Sequence, residues 1–405
     1  MIRDRERGLL ELEGSGDQVI DPVGAVEERV LGMAVKVDEG HQLVNLARPG
    51  WGRETLRIGA LVVGLMLLSP LLTPTGRYML RAAWEEGKIL AHRRPIIDVI
   101  ADPATPAAAK AKLHLVLDAR AFAAESLGLR TKQSFTAYAP LERDTLVLVL
   151  SAAYRDQLRP VTWWFPIVGR VPYKGFFDPQ DAVRAAHTLD AQGFDTNVRP
   201  SAAFSTLGFF NDPLVSTTLE SDSLELANTV IHELTHNTYY APGQVPFNES
   251  FANFVGHRGA AEFFRARGND SAARAVEARW ADTKTLGRFW TDVYRSLDSA
   301  FHAHPESRTA RLAARDTIFA RTRERLLTEV APHLQTIPPS ALTHVRLDNA
   351  ALLARRVYLT SLDDFDAIYA QQGNDLRRAV ARIIALAKSE PQDPFGALHA
   401  ASTTA

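Results

Sequence analysis

Apolar and polar positions divide this chain into three regimes. Residues 1 to about 55 are polar and charged, include Gly14-Ser15-Gly16-Asp17 and hold no sustained apolar period. A stretch that can bury so little is expected to remain a poorly ordered tail. From Ile58 to Gly76 no charged residue occurs. At 1.5 Å per residue, a helix over that run is about long enough to cross a bilayer core, and Pro70 and Pro74 should kink or end it near its exit. From Lys88 onward the pattern is that of a soluble domain. The expected organisation is therefore a tail over 1–55, a spanning segment over 56–76 and one domain over 77–405, of which 257–405 is mainly helical.

Within that domain the pattern changes period several times. Thr105 to Leu127 is alanine-rich with Leu113, Leu115, Val116 and Phe122 at helical spacing, which predicts a helix capped by Thr105 with Pro106 as its first residue. Leu146 to Leu150 is a short apolar run that reads as a buried strand. Pro160 to Pro172, with Trp163, Trp164 and Phe165, reads as a loop or edge element whose aromatics join the core. A helix is expected from Ala182 to Gly193, then an extended run from Thr196 to Phe210. Leu226, Val230 and Leu234 line one stripe of a further helix that Pro242 and Gly243 should stop. Asn248 is placed to cap the next helix, which opens at Glu249.

After Gly256, helical spacing recurs over Ala260–Arg267, Ala272–Thr285, Gly287–Ala303, Glu306–Val330, Asn349–Thr360 and Leu362–Gln371, with no repeat of fixed length. Ser389 to Ala405, with two prolines, reads as a loose tail. Short extended runs set among helices, with a helical second half, make the expected fold class α+β.

Composition narrows the picture modestly. The chain has 405 residues, 46% hydrophobic and 23% charged, enough for a sizeable core. A formal net charge of −1 supplies no global field to recruit nucleic acid, so no nucleic-acid partner is expected. Cysteine is absent, which excludes disulfides, thiol catalysis and cysteine-rich metal sites.

The candidate chemistry lies in His232-Glu233-Leu234-Thr235-His236, followed by Glu249. Histidines at i and i+4 stack on one helix face, where both imidazoles can reach a single zinc ion. Glu233 would sit beside the open coordination position as general base, and Glu249, returned by the helix–turn–helix, would complete a His2Glu site. That set supplies what peptide hydrolysis needs: a Lewis acid, an activated water and a carboxylate. His257 is a rival ligand. Tyr240, at i+4 from His236, and Tyr173 are candidate donors to the oxyanion, with Tyr240 preferred. Asn253, at i+4 from Glu249, is expected to orient a ligand imidazole. Glu220, Asp222, Glu225 and Asp212 are upstream candidates to bind a substrate amine, with nothing to choose among them.

Several segments together carry a family resemblance. Phe204 to Thr217 (FSTLGFFNDPLVST), His232 to His236, Phe247-Asn248-Glu249-Ser250-Phe251-Ala252, and upstream Trp164 to Gly169 with Tyr173-Lys174-Gly175-Phe176-Phe177 resemble the bacterial putative aminopeptidases of the zincin type, from about Gly76 to about Gly256. The resemblance implies a zincin-like fold with a small mixed sheet, an active-site helix and a helical C-terminal region. It also implies a zinc peptidase of the gluzincin kind, with His232, His236 and Glu249 as ligands and Glu233 as base. Zincins lay substrate along an edge strand before the motif helix; Ser201–Phe210 is either that edge or a plain interior strand.

The N-terminal segment decides the expected location. Arg48, Arg53 and Arg57 precede the apolar run and favour a cytoplasmic N-terminus, although Arg77 and Arg81 follow it. An uncleaved signal anchor is the preferred reading, ahead of a signal peptide behind a start at Met33 or a buried core helix. Relatives look like lipoproteins, with a cysteine before a stretch similar to Tyr78–Gly87, and here no cysteine precedes it. The expectation is an inner-membrane anchored enzyme that acts on peptides in the periplasm. The alternatives are an endopeptidase and a membrane-tethered binding or assembly factor that keeps the shape without the activity.

Overall fold

A computed structural model describes residues 73–141, 147–165, 169–201 and 213–404. The polar tail and most of the apolar segment lie outside the described residues, as does Ser201–Phe210 beyond its first residue.

The chain opens with α1 (Pro74–Ala91), β1 (Arg94–Pro95), α2 (Ile96–Ala101) and α3 (Ala107–Glu125). Strands follow as β2 (Ala137–Ala139), β3 (Val147–Tyr154), β4 (Trp163–Phe165), β5 (Gly169–Val171) and β6 (Tyr173–Phe176), then α4 (Pro179–Ala191), β7 (Phe194–Ser201) and β8 (Leu214–Val215). The remainder is helical: α5 (Ser216–Leu219), α6 (Ser223–Thr238), α7 (Val245–Ala266), α8 (Asp270–Ala303) and α9 (Arg308–Arg325), which runs into a π-helical turn at Leu326–Val330. Last come α10 (Pro339–Thr343), α11 (Asn349–Arg356), α12 (Leu362–Gln371), α13 (Leu376–Ser389) and α14 (Pro394–Thr403).

The architecture is a helix-rich α+β arrangement with small sheets. One sheet is mixed, in the order β1-β2-β8 with β2 and β8 parallel. Another is antiparallel in the order β6-β3-β7, and β4 pairs with β5. β7 lies at the edge of its sheet among the described residues, which suits Pro200, a residue with no N–H to donate.

The core is built around the α6–α7 pair. Leu226, Val230 and Leu234 are fully buried, with Ala227 and Ile231 beside them, so the apolar stripe read from the sequence is the packed face. Two glycines of α7 let the helices approach. A Cβ at Gly259 would stand 2.9 Å from side-chain atoms of both Ile231 and Leu127, and one at Gly256 would collide with Asn228 Oδ1 and stand 3.2 Å from the Cβ of His232. The far side of α7 is gripped by aromatic rings. Phe247 packs on Phe251, Phe365 and Phe395 at centroid distances of 5.4–6.0 Å.

Several expectations need correction. Pro74 opens a helix rather than ending one: Thr73 caps α1 by accepting from the N–H of Gly76, so residues 74–76 belong to the domain's first helix. No helix among the described residues is long and apolar enough to cross a membrane. Pro106 is the N-cap position of α3 and Ala107 its first residue, one later than expected, and no side chain caps it. Trp164 is 56% exposed, so that aromatic is not core. Helices expected at 272–285 and 287–303 are one continuous α8, because Gly287 sits mid-helix where Leu359 crosses; a Cβ there would lie 3.2 Å from the Leu359 carbonyl oxygen. The tail expected at 389–405 holds α14, whose Leu398 is fully buried and whose Phe395 joins the ring cluster on Phe247. Helix α13, with Ile383 and Ala387 fully buried, went unpredicted.

Candidate metal centre

Local sequence chemistry brings the motif helix and its partner together. Asp222 caps α6, its carboxylate accepting from the N–H groups of Leu224 and Glu225 at 2.9 Å each. α6 ends at Thr238 as the chain turns extended at Tyr239, and Gly243 takes the left-handed conformation at φ +76° inside the turn. Asn248 is not the N-cap of the next helix. α7 begins at Val245 with a proline in its first turn, and Asn248 lies within it, 1% exposed. Its side-chain amide instead clamps the turn: Oδ1 accepts from the Ala241 N–H and Nδ2 donates to the Ala241 carbonyl, both at 2.8 Å. This two-point bond fixes the angle at which α7 leaves the turn, and so the place to which Glu249, the next residue, returns.

The structure brings His232, His236 and Glu249 together. The two Nε2 atoms are 3.3 Å apart. Glu249 Oε2 lies 3.4 Å from His232 Nε2, and Oε1 lies 3.7 Å from His236 Nε2. A tetrahedral zinc with bonds of about 2.0–2.2 Å holds its ligand atoms roughly 3.3–3.6 Å apart. One carboxylate and two imidazoles thus offer the donor set that zinc takes, with one ligand atom from each lying within 4.8 Å of the others, and no other group of three such ligands gathers among the described residues. Burial works to raise the Glu249 carboxyl, but its hydrogen bonds to both imidazoles outweigh this and hold it well below the usual carboxylate range. Beside His232 in sequence, Glu233 keeps one carboxylate oxygen, Oε2, buried with no hydrogen-bond partner among the described residues.

Three phenols surround Glu249. Tyr240 stands 6.4 Å from the His236 ring, centroid to centroid. Tyr173, on β6, pairs across the sheet with Ser151. The third, Tyr358, follows α11. In each case burial first, and then the Glu249 charge, pushes the phenol above its ordinary value, so all three stay protonated and able to donate. Tyr358 is the best held. Arg199 Nη2 donates to its hydroxyl oxygen at 3.2 Å, which leaves the phenolic proton uncommitted. Its backbone is bound to α7: Asn253 Nδ2 donates to the Tyr358 carbonyl at 3.1 Å, and Ser250 Oγ bonds both the Val357 carbonyl and the Thr360 N–H. Further back, fully buried Asn349 ties α11 to the end of β3 by donating to the carbonyls of Tyr154 and Arg155.

Other sequence candidates fare differently. Asn253 makes no bond to a ligand imidazole; its Nδ2 donates to the Tyr358 carbonyl and so helps to position that residue. His257 stays out of the ligand trio, with Nδ1 on the Asn253 carbonyl at 2.9 Å and its ring 5.2 Å from Trp280. Burial lowers its pKa to about 4, which keeps it neutral. Asp222 is engaged as a helix cap and in an ion pair with Arg279 at 2.9 Å. Glu225 lies about 10 Å along the helix axis from His232 and accepts from Asn228. Glu220 is exposed, and Asp212 falls outside the described residues. Sequence reading missed Tyr358 and Arg199. Nothing local marks either one, and only the docking of α11 over the β6-β3-β7 sheet brings them to Glu249.

A cavity of about 360 Å³ opens beside Glu249, floored by Ser151, Tyr173 and Arg199 of that sheet and walled by Arg356 and Tyr358. Neither a curated protein nor a solved structure matches the chain. The family model described as putative aminopeptidase does match, over residues 77–397, which carries the likeness well past Gly256 and through the helical half. The chain belongs to that family.

Proposed function

We propose that this member of the putative aminopeptidase family is a zinc-dependent peptidase of the gluzincin kind that removes residues from the N-terminus of peptides. The observation that carries the reading is the convergence of His232 Nε2, His236 Nε2 and the Glu249 carboxylate, ligand atoms within 4.8 Å of one another that make the donor set of a His2Glu site. These three residues would hold the ion. Once bound, zinc supplies a Lewis acid for the scissile carbonyl and lowers the pKa of the attacking water.

The remaining work falls to the chain's own groups. Glu233, whose Oε2 has no partner, takes the proton from the attacking water and returns it to the leaving amine. Tyr358 is the group that would donate to the developing oxyanion, with Arg199 on its oxygen making it a better donor. Tyr173 lines the cavity beside Glu249, and Tyr240 stands by the His236 ring as a second candidate donor. The apolar run ending at Gly76 supports a membrane anchor ahead of the domain, with the catalytic side in the periplasm.

Purified protein assayed on peptides with free and with acetylated N-termini tests the activity. Release of the N-terminal residue from the free peptides alone, lost to a chelator and restored by zinc, is expected. Internal cleavage of acetylated peptides would make it an endopeptidase, and no cleavage in any peptide would leave a binding factor.

A further inference from the structure

We propose that the cavity beside Glu249 is a carboxylate-binding subsite in which Arg199 and Arg356 hold the C-terminal carboxylate of a short peptide. It rests on the peptidase reading only for which bond is cut.

The first ground is the state of the two arginines. Several part-buried arginines of the domain meet carboxylates: Arg311 with Asp156 at 2.8 Å, Arg315 with Asp195 at 2.5 Å, Arg258 with Asp366 at 2.7 Å. The two in the cavity do not. Arg199 bonds only the Tyr358 hydroxyl. Arg356 lies with its Cζ 4.0 Å from the centre of the Tyr294 ring and makes one long bond, 3.4 Å, to Thr291. A guanidinium carries five N–H donors in a planar fork, so most of the donors of both groups are unspent. Withdrawing a cation from water without an anion is costly, and a ligand carboxylate removes that cost.

The second ground is what else lines the cavity. Among the described residues Glu249 is its sole acid, and Glu249 faces the two histidines. No other carboxylate of the described lining is left to take a substrate amine. The field in the cavity attracts an anion, and the other walls, such as Val245, Leu353 and Phe395, are apolar. The third ground is size. At about 360 Å³ the cavity stands near the lower end of the roughly 300–1,000 Å³ typical of small-molecule sites. It suits the end of a short peptide rather than a segment of folded protein. With the carboxylate on the arginines and the scissile carbonyl at the histidines, the cavity holds the leaving portion and the N-terminal residue lies outside it.

The test uses trialanine as free acid, trialanine amide, and the same amide with glutamate in the last position. The free acid should exceed the trialanine amide about 10- to 100-fold in kcat/KM, the range of one charge-assisted contact. That ratio should fall to near 1 in Arg356→Gln and in Arg199→Gln, and Arg356→Lys should recover part of it. Calorimetry on metal-free Glu233→Gln protein should show the same preference in Kd. Equal handling of acid and amide by the wild type, in cleavage and in binding, overturns the proposal without any variant, as does a preference that survives both glutamine variants. If the glutamate amide outruns the free acid, the subsite reads an acidic side chain and the C-terminal assignment is overturned. Binding preference without any hydrolysis would sink the peptidase reading and leave the subsite standing, whereas hydrolysis without preference would do the reverse.

Discussion

Removing the Asn248 amide should loosen the domain and misplace the candidate metal site together. In Asn248→Ala the Ala241 N–H, 2% exposed by residue, loses its partner at 2.8 Å. A buried donor left unsatisfied costs about 1–3 kcal/mol. The Ala241 carbonyl fares better, since it also accepts from the Gln244 N–H at 3.2 Å, and losing the Asn248 bond there costs about 0.5–1 kcal/mol. Alanine is the better helix former by roughly 0.5 kcal/mol, which offsets part of this. The net loss should be about 1–3.5 kcal/mol. Urea unfolding of metal-free wild type and variant measures it without the stabilisation that bound metal adds. Zinc titration of the folded variant should show weaker binding, because Glu249 follows the freed residue. Asn248→Asp keeps the acceptor for the N–H but sets a second oxygen against the carbonyl, and should be no better. A stability change below about 0.5 kcal/mol with unchanged zinc affinity would refute the clamp.

Four further outcomes follow from the site. Glu233→Gln should retain metal while kcat falls about 10²–10⁴-fold; near-normal turnover would remove it as base. Tyr358→Phe should lower kcat about 10²–10³-fold with little change in KM, and a larger loss in Tyr240→Phe would restore the ranking expected from sequence. His257 has a pKa of about 4 in the fold against about 6.5 unfolded, so the unfolded chain takes up the proton first as pH falls. Stability of the metal-free protein should be intact above pH 6.5 and decline toward pH 4 by on the order of 3 kcal/mol, and an identical decline in His257→Gln would assign it elsewhere. A reporter active only outside the cytoplasm, fused after Ala405, should be active in whole cells; a silent fusion with protein in the soluble cytosolic fraction would place the peptidase inside.

What the sequence disclosed was what depends on near neighbours. Leu226, Val230 and Leu234 marked the packed face of α6 because a 3.6-residue period is local, and the two histidines shared a face for the same reason. Glu249 could be brought back by a helix, a turn and a helix of short total length. The same locality misled at Asn248, whose side chain is equally suited to capping a helix and to bridging a turn, and only the fold selects the second. Gly287 looked like a break because its use, the close passage of Leu359, comes from a distant segment. Phe395 looked loose because its partners, Phe247 and Phe365, lie far back in the chain. Arg199 and Tyr358 reach the site through strand pairing and the docking of α11, neither of which leaves a mark at the residues themselves.

Elemental analysis of the purified protein beside His236→Ala and Glu249→Gln tests the centre most directly. One zinc per chain is expected in the wild type, with strong loss in both variants, since each removes one of three ligands whose donor atoms gather within 4.8 Å. Wild-type protein that stays metal-free when supplied with zinc, or variants that keep the full complement, would contradict it.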